Sequence, residues 1–315
     1  MERLRKRLHK QKDQEKKRSV RLKHFRAIGS IFGVIYKDHY KSNDITGMLI
    51  ENNKFFCISK NGLVSTTSPR YKKVVEMYNI GLNPQFISDD ERDGLIGMAV
   101  LDNYMFLSHT ESSGDLVVIR LMMGDTLSKR QVVKRFACND SRYRGGHLFS
   151  HQRKVYLSAN DCIWEIDSSL NARPVASGFV CPCSFSIDSQ NRMWVGDDTD
   201  LYGKIYSFPL TQGTTDVKTI EPVFEYPYTD ITGRGIVAGF YLDDLEIYLF
   251  ADRDGYMGCI QQRDSRWVQV MNQCVFVETI YKLYGDFQNK CLYACTSSGI
   301  KMCSIYPLEN KASIR

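Results

Sequence analysis

One phrase recurs six times along this chain, and it limits the available folds more than any other feature. It is clearest from Arg153 to Ile166, where Val155 and Leu157 alternate with Tyr156 and Ser158, Ala159-Asn160-Asp161 turns, and Cys162-Ile163-Trp164-Glu165-Ile166 returns. Period-two alternation interrupted by a short polar turn is the mark of a β-hairpin. Lys54-Phe55-Phe56-Cys57-Ile58-Ser59 is followed in the same way by Asn61-Gly62 and Leu63-Val64-Ser65, and Tyr104-Met105-Phe106-Leu107-Ser108 by Asp115 to Ile119. Arg192-Met193-Trp194-Val195-Gly196 leads to Gly203 to Ser207, Glu246 to Asp252 leads to Met257 to Ile260, and Lys290 to Cys295 leads to Ile300 to Ile305. The copies are spaced roughly 38 to 55 residues apart, the interval of four-stranded propeller blades. The alternative is a pair of β-sandwiches with irregular loops, but six copies are too many for one sandwich. The expected fold is therefore all-β, a six-bladed β-propeller over residues 36–315, preceded by a basic arm over residues 1–35 that is partly helical or disordered.

The arm stands out by charge. Residues 1–26 hold twelve Lys or Arg and three Asp or Glu, a local +9 in a chain whose net charge is +6. With too few apolar positions to pack, such a run stays solvated, and it suits an anionic partner, either nucleic acid or a membrane surface. No apolar run approaches the length of a membrane span, so no transmembrane segment is expected. The patch from Ile28 to Tyr36 is too short and too far from Met1 for a signal-peptide core, so secretion is not supported. The chain is read as intracellular, with a virion-associated structural role as a further setting for the basic arm.

Ten cysteines could build a disulfide framework in a short secreted chain, but Cys57, Cys162, Cys259, Cys291 and Cys303 fall inside the hairpin strands, where a thiol packs as a small apolar group. Cys181-Pro182-Cys183 and Cys291 to Cys295 lack partner pairs at zinc spacing, which favours strand-core roles. Tyr36 to Asp44 reads as a polar loop.

Before four of the hairpins lies a segment suited to an inner strand lining a central channel. These segments are Gly94 to Val100, Gly145 to Phe149, Cys183 to Ile187, and Gly233 to Gly239. Their glycines mark close approach of backbones, and loops beside them shape the mouth where propellers bind ligands. Tyr143, His147 and Arg234 are expected to face that mouth.

Four of these motifs, in order, resemble the glucose/sorbosone dehydrogenase family, the soluble quinoprotein sugar dehydrogenases whose propeller is shared with hedgehog-interacting protein. Gly94-Leu95-Ile96-Gly97-Met98-Ala99 is similar to the family's GLLGxAF strand, and Tyr143-Arg144-Gly145-Gly146-His147-Leu148 to its HNGGQL. Gly178 to Phe185 with Arg192-Met193-Trp194-Val195, and Asp230 to Gly233 with Tyr248 to Asp252, resemble two further motifs. The likeness runs from about residue 45 to residue 306. It implies pyrroloquinoline quinone and Ca²⁺ as cofactors.

The departures fall at the chemistry. The family's general-base His corresponds to Tyr143, whose phenol is a poor base at neutral pH; His147, in a pKa range suited to proton transfer, is the possible substitute. Arg144, Val180 and Arg234 mark cofactor-binding positions, with Val180 in the place of the family's Arg and Arg234 able to clamp a carboxylate. Asp197, Asp198 and Asp200 could hold Ca²⁺, which prefers hard oxygen ligands, or could simply form an Asp-rich turn. The sequence thus points to a catalytically degenerate propeller, a pseudoenzyme serving as a binding or structural module. Its mouth would take a small polar ligand or a protein. The alternative is a quinone-dependent oxidoreductase acting on a sugar or related alcohol.

Overall fold

A computed structural model describes residues 32–41, 45–51, 54–59, 63–67, 74–79, 97–111, 113–123, 128–137, 146–199, 202–227, 236–252, 255–274, 280–286, 291–296 and 299–305. Among these residues the chain is β-strand and turn, with short 3-10 helices only at Val217–Thr219 and Asp243–Leu245.

Strand β1 (Phe32–Lys41) comes first in the chain but belongs to the last sheet. The first complete sheet is β2 (Ile45–Glu51), β3 (Lys54–Ser59), β4 (Leu63–Thr67) and β5 (Val74–Asn79). It is followed by β6 (Gly97–Leu101), β7 (Tyr104–Thr110), β8 (Leu116–Met122) and β9 (Ser128–Phe136). The third sheet holds β10 (Leu148–His151), β11 (Lys154–Ala159), β12 (Cys162–Ile166) and β13 (Ala172–Ser177). Next come β14 (Pro182–Ile187), β15 (Arg192–Asp198) and β16 (Tyr202–Pro209), after which β17 (Thr215–Asp216) pairs in parallel with β13 before β18 (Phe224–Pro227) completes the fourth sheet. The fifth is β19 (Ile236–Leu242), β20 (Ile247–Asp252), β21 (Tyr256–Arg263) and β22 (Arg266–Cys274). The last is β23 (Ile280–Asp286), β24 (Cys291–Thr296) and β25 (Gly299–Ile305), with β1 along its outer edge.

Four of the six sheets are therefore built from sequence-local strands alone, the third gains β17 from beyond β16, and the last joins the two ends of the described chain. The segment Tyr36 to Asp44, expected as a loop, is mostly strand: β1 runs antiparallel to β25, with Phe32 opposite Ile305 and Lys41 opposite Gly299. An outermost strand can be polar because it lies at the sheet edge, so the hydropathy that marks inner strands is missing. Its start at Phe32 also carries the sheet into the span assigned to the arm. The basic stretch 1–26 lies outside the described residues.

The sheets close into a ring. The leading strands lie against one another in order, β2 on β6, β6 on β10, β10 on β14, β14 on β19, β19 on β23, and β23 back on β2. This closure is the propeller architecture, and it removes the inner sheet edges. Between each pair of neighbouring sheets lies one apolar cluster. Met98, Met105 and Leu107 meet Phe56 and Ile58, whereas Leu249 and Ala251 meet Leu283 and Leu292. Strands packed on both faces read as unbroken apolar runs, which is why Met105, Phe106 and Leu107 are all buried. The hairpin turns take left-handed backbone at Asn160 (φ 54°) and at Asp264 and Ser265 (φ 48° and 64°). Asn and Asp tolerate that region.

Candidate functional site in the central channel

The inner strands begin with a shared irregularity. In four sheets the register slips by one residue as the inner strand starts, between Ile45 and Gly47, Pro182 and Ser184, Ile236 and Ala238, and Ile280 and Lys282. Such a β-bulge increases local twist and re-aims the adjoining side chains. Opposite the strand start stands a residue at or near the end of the second strand, with Ile45 facing Ser59, Gly97 facing Ser108, Pro182 facing Asp197, Ile236 facing Asp252 and Ile280 facing Thr296.

Those facing residues form a ring of buried polar anchors. Ser108, Ser158, Asp197, Asp252 and Thr296 are all buried, and a buried polar group is stable there only with partners. Gly97 N–H donates to Ser108 Oγ at 3.1 Å, and the same hydroxyl donates to the Gly146 carbonyl of the next sheet. His147 N–H donates to Ser158 Oγ at 2.9 Å. Tyr256 N–H donates to Asp252 at 2.9 Å. The approach of Gly97 and Gly146 requires glycine, because a Cβ on Gly97 would overlap the Gly146 carbonyl and stand 2.5 Å from Ser108 Oγ.

Asp197 belongs to this set. Val180 N–H donates to both of its oxygens at 3.1 Å, and Cys181 N–H donates to Oδ1 at 2.6 Å. Burial raises its pKa, and these two backbone donors pull in the opposite direction. Its carboxylate therefore ties down the 178–181 turn, where Gly178 has φ +88°. Asp198, at the end of β15, is half-buried, and its N–H donates to the Cys181 carbonyl at 2.9 Å. Asp200 lies outside the described residues, as do Tyr143, Arg144 and Arg234. Among the described residues no group of three His, Cys, Asp or Glu side chains is gathered to hold a metal ion. Val180 is 48% exposed and its side chain offers neither charge nor hydrogen bond. The described members of the expected quinone and calcium site thus do not fit those groups: Val180 has the wrong chemistry, and Asp197 is turned to backbone donors.

Two ionisable side chains reach in from opposite sides of the ring, and the Lys282 charge acts on the His147 ring. His147, just before β10, and Lys282, on β23, come from diametrically opposite sheets of the ring. Lys282 Nζ reaches the Met98 carbonyl on β6 at 3.4 Å, while the His147 ring bonds the Val237 backbone at the β19 bulge. Both side chains keep part of their surface exposed, yet the surrounding protein dominates their titration. Burial, with the Lys282 charge added, pushes the imidazole down to about 3 against the pull of the Val237 hydrogen bond. Burial likewise pushes the Lys282 amine down to about 8. The neighbouring Cys295 thiol is pushed up to about 12 by burial and stays protonated. An imidazole with so low a proton affinity is a weak general base.

Lys282 escaped the sequence analysis. The available signal was a lone cation in the apolar run Ile280-Tyr281-Lys282-Leu283-Tyr284, ahead of the sixth hairpin, where the other hairpins have their inner strands. Cys57, Cys259 and Cys295 are buried thiols and Cys162, Cys181 and Cys183 half-buried ones, none in a disulfide. The side chains of Cys291 and Cys303 lie outside the described residues.

No family model and no curated protein matches this chain. Among solved structures it is similar to the crystal structure of BamB from Moraxella catarrhalis, at 13% identity and a TM-score of 0.42, over 84% of this chain and 70% of that one. A likeness at that level carries no functional argument. The propeller rests on the strand pairing and the closed ring of sheets, and the resemblance to glucose/sorbosone dehydrogenases rests on the sequence motifs alone.

Proposed function

We propose that this protein is a ligand-binding propeller that retains the sugar-dehydrogenase-like scaffold without quinone-dependent oxidation. The observation that carries this reading is the protonation chemistry of the channel axis. Hydride abstraction from an alcohol needs a base to take the hydroxyl proton, and His147, the one imidazole at the axis among the described residues, has its pKa pushed down to about 3. Val180 and Asp197 support the same conclusion, because one lacks the charge to hold a quinone and the other anchors a turn. What remains is a ring of rigid inner strands around two polar side chains, an arrangement suited to holding a ligand.

The test is titration with pyrroloquinoline quinone, with and without Ca²⁺, followed by a dye-linked assay over a panel of sugars and polyols. The expected result is no turnover under any condition. Calcium-dependent quinone binding with turnover would overturn the proposal and restore the oxidoreductase reading.

A further inference from the structure

The outer rim of the ring is not uniform in charge. Strand β9 is the outermost strand of the second sheet, and its sequence Ser-Lys-Arg-Gln-Val-Val-Lys-Arg-Phe holds four cations and no carboxylate. Other outermost strands differ: β5 carries one Glu, β18 one Glu and a closing Pro, and β22 only the cation Arg266. The register fixes where the described cations of β9 lie. Lys134 pairs with Val118, which packs toward the third sheet, and Arg135 pairs with Val117, which packs toward the first. Successive residues of a strand point to opposite faces, so positive charge flanks this edge on both sides. Gln131, Val132, Lys134 and Arg135 are all exposed, Val132 at 39%.

Such an edge attracts one kind of chain and repels another. An outermost strand turns alternate backbone N–H and C=O groups outward, a template for a further strand. Like charges oppose pairing with a second copy of β9, whereas an acidic strand gains at each cation. Both elements of that pairing already occur in the ring. Strand β17 adds to the outer edge of β13, with Thr215 opposite Ala176 and Asp216 opposite Ser177, and β1 adds to β25. On β9 itself, Arg135 holds the Glu111 carboxylate through Nη2 at 3.1 Å and Nε at 3.4 Å, an exposed pair weak enough to exchange for another carboxylate.

We propose that β9 is the docking edge for an acidic, extended segment of a partner protein, which adds as a fifth strand with its carboxylates facing Lys134 and Arg135. The backbone ladder supplies affinity, and the cations choose an acidic sequence. A nucleic acid would use the charge on one face but leave the outward backbone groups and the second face unmatched. The inference goes beyond the channel reading and does not rest on it, because β9 lies at the opposite edge of its sheet from β6, the strand that belongs to the inner ring.

The experiment titrates the full chain into a labelled nine-residue synthetic peptide, matched to β9 in length, in which Glu alternates with Val and Thr. Fluorescence anisotropy should show binding that weakens as salt rises and falls about tenfold or more when alternate peptide amides are N-methylated. Lys134→Glu should lose about fivefold, and circular dichroism melts check that this variant is folded. Hydrogen exchange should find the outward amides of β9 open in the free protein and protected by the peptide. Equal affinity for the N-methylated peptide, or equally tight binding of a single-stranded DNA of the same charge, would overturn the inference. So would a folded Lys134→Glu variant that binds as wild type does, or no binding at all. Outward amides protected before peptide is added would also overturn it, by showing that another segment of this chain covers the edge. None of these results bears on quinone turnover, which the dye-linked assay decides separately.

Discussion

Asp197 separates two accounts of the same carboxylate, and its replacement by Ala has a magnitude that can be worked from the structure. The wild-type side chain receives Val180 N–H at 3.1 Å and Cys181 N–H at 2.6 Å. A hydrogen bond to a charged acceptor contributes about 1.5–3 kcal/mol, and the carboxylate's own burial offsets part of two such bonds, leaving a net loss of about 2–4 kcal/mol. For a domain of this size about 2 °C accompanies each kcal/mol, so Asp197→Ala should melt roughly 4–8 °C below wild type. The pH dependence supplies a second check. Burial raises the folded-state pKa above the unfolded value of 3.8, so the wild type gains from a protonated Asp197 in acid and loses that gain as pH rises through the folded pKa. The gap between wild type and variant should therefore be wider in acid than at neutral pH. Thermal melts of both proteins with and without millimolar Ca²⁺ complete the assay. A melting temperature that rises with Ca²⁺ in the wild type alone, or a variant as stable as wild type, would refute the anchor account.

Two further perturbations probe the sheet interfaces. Gly258→Ala places a Cβ inside the ring of Phe250, which is 1% exposed and has no room to move. Such overpacking should cost about 1–3 kcal/mol, read as a lower denaturant midpoint with an unchanged slope. Trp194→Phe removes the Nε1–H that donates to Asp188 at 2.8 Å and trims a ring stacked 4.5 Å from Tyr241. Loss of about 1–3 kcal/mol is expected by chemical denaturation, and stability equal to wild type would show that the buried Asp188 finds another donor.

The repeated hairpins were legible because each is a local object. Alternation from Val155 to Ser158 and the turn at Asn160 lie within a few residues of each other, and short-range periodicity is enough to define them. All six predicted hairpins are strand pairs in the structure. The edge strand β1 was not legible. Its partner β25 lies at the far end of the chain, and an outer strand carries no apolar pattern to announce it. The polar anchors were present in the sequence as a residue at or near the end of the second strand, Ser108, Ser158, Asp197, Asp252 and Thr296. Their shared role shows only once the register puts each at the start of an inner strand.

The amino-acid sequence by itself determined the β class, the repeat and the length of each unit, because turns and alternation act over distances of a few residues. Only the tertiary structure decided which side chains reach in from opposite sides of the ring. Phe32 and Ile305 pair across nearly the whole chain. Lys282 and His147 stand on opposite sheets of the ring and share an environment only when the ring closes. The same closure sets their chemistry. An imidazole at about 3 is a product of burial and of the Lys282 charge, and an amine at about 8 is a product of burial; neither property is written in the residues flanking them.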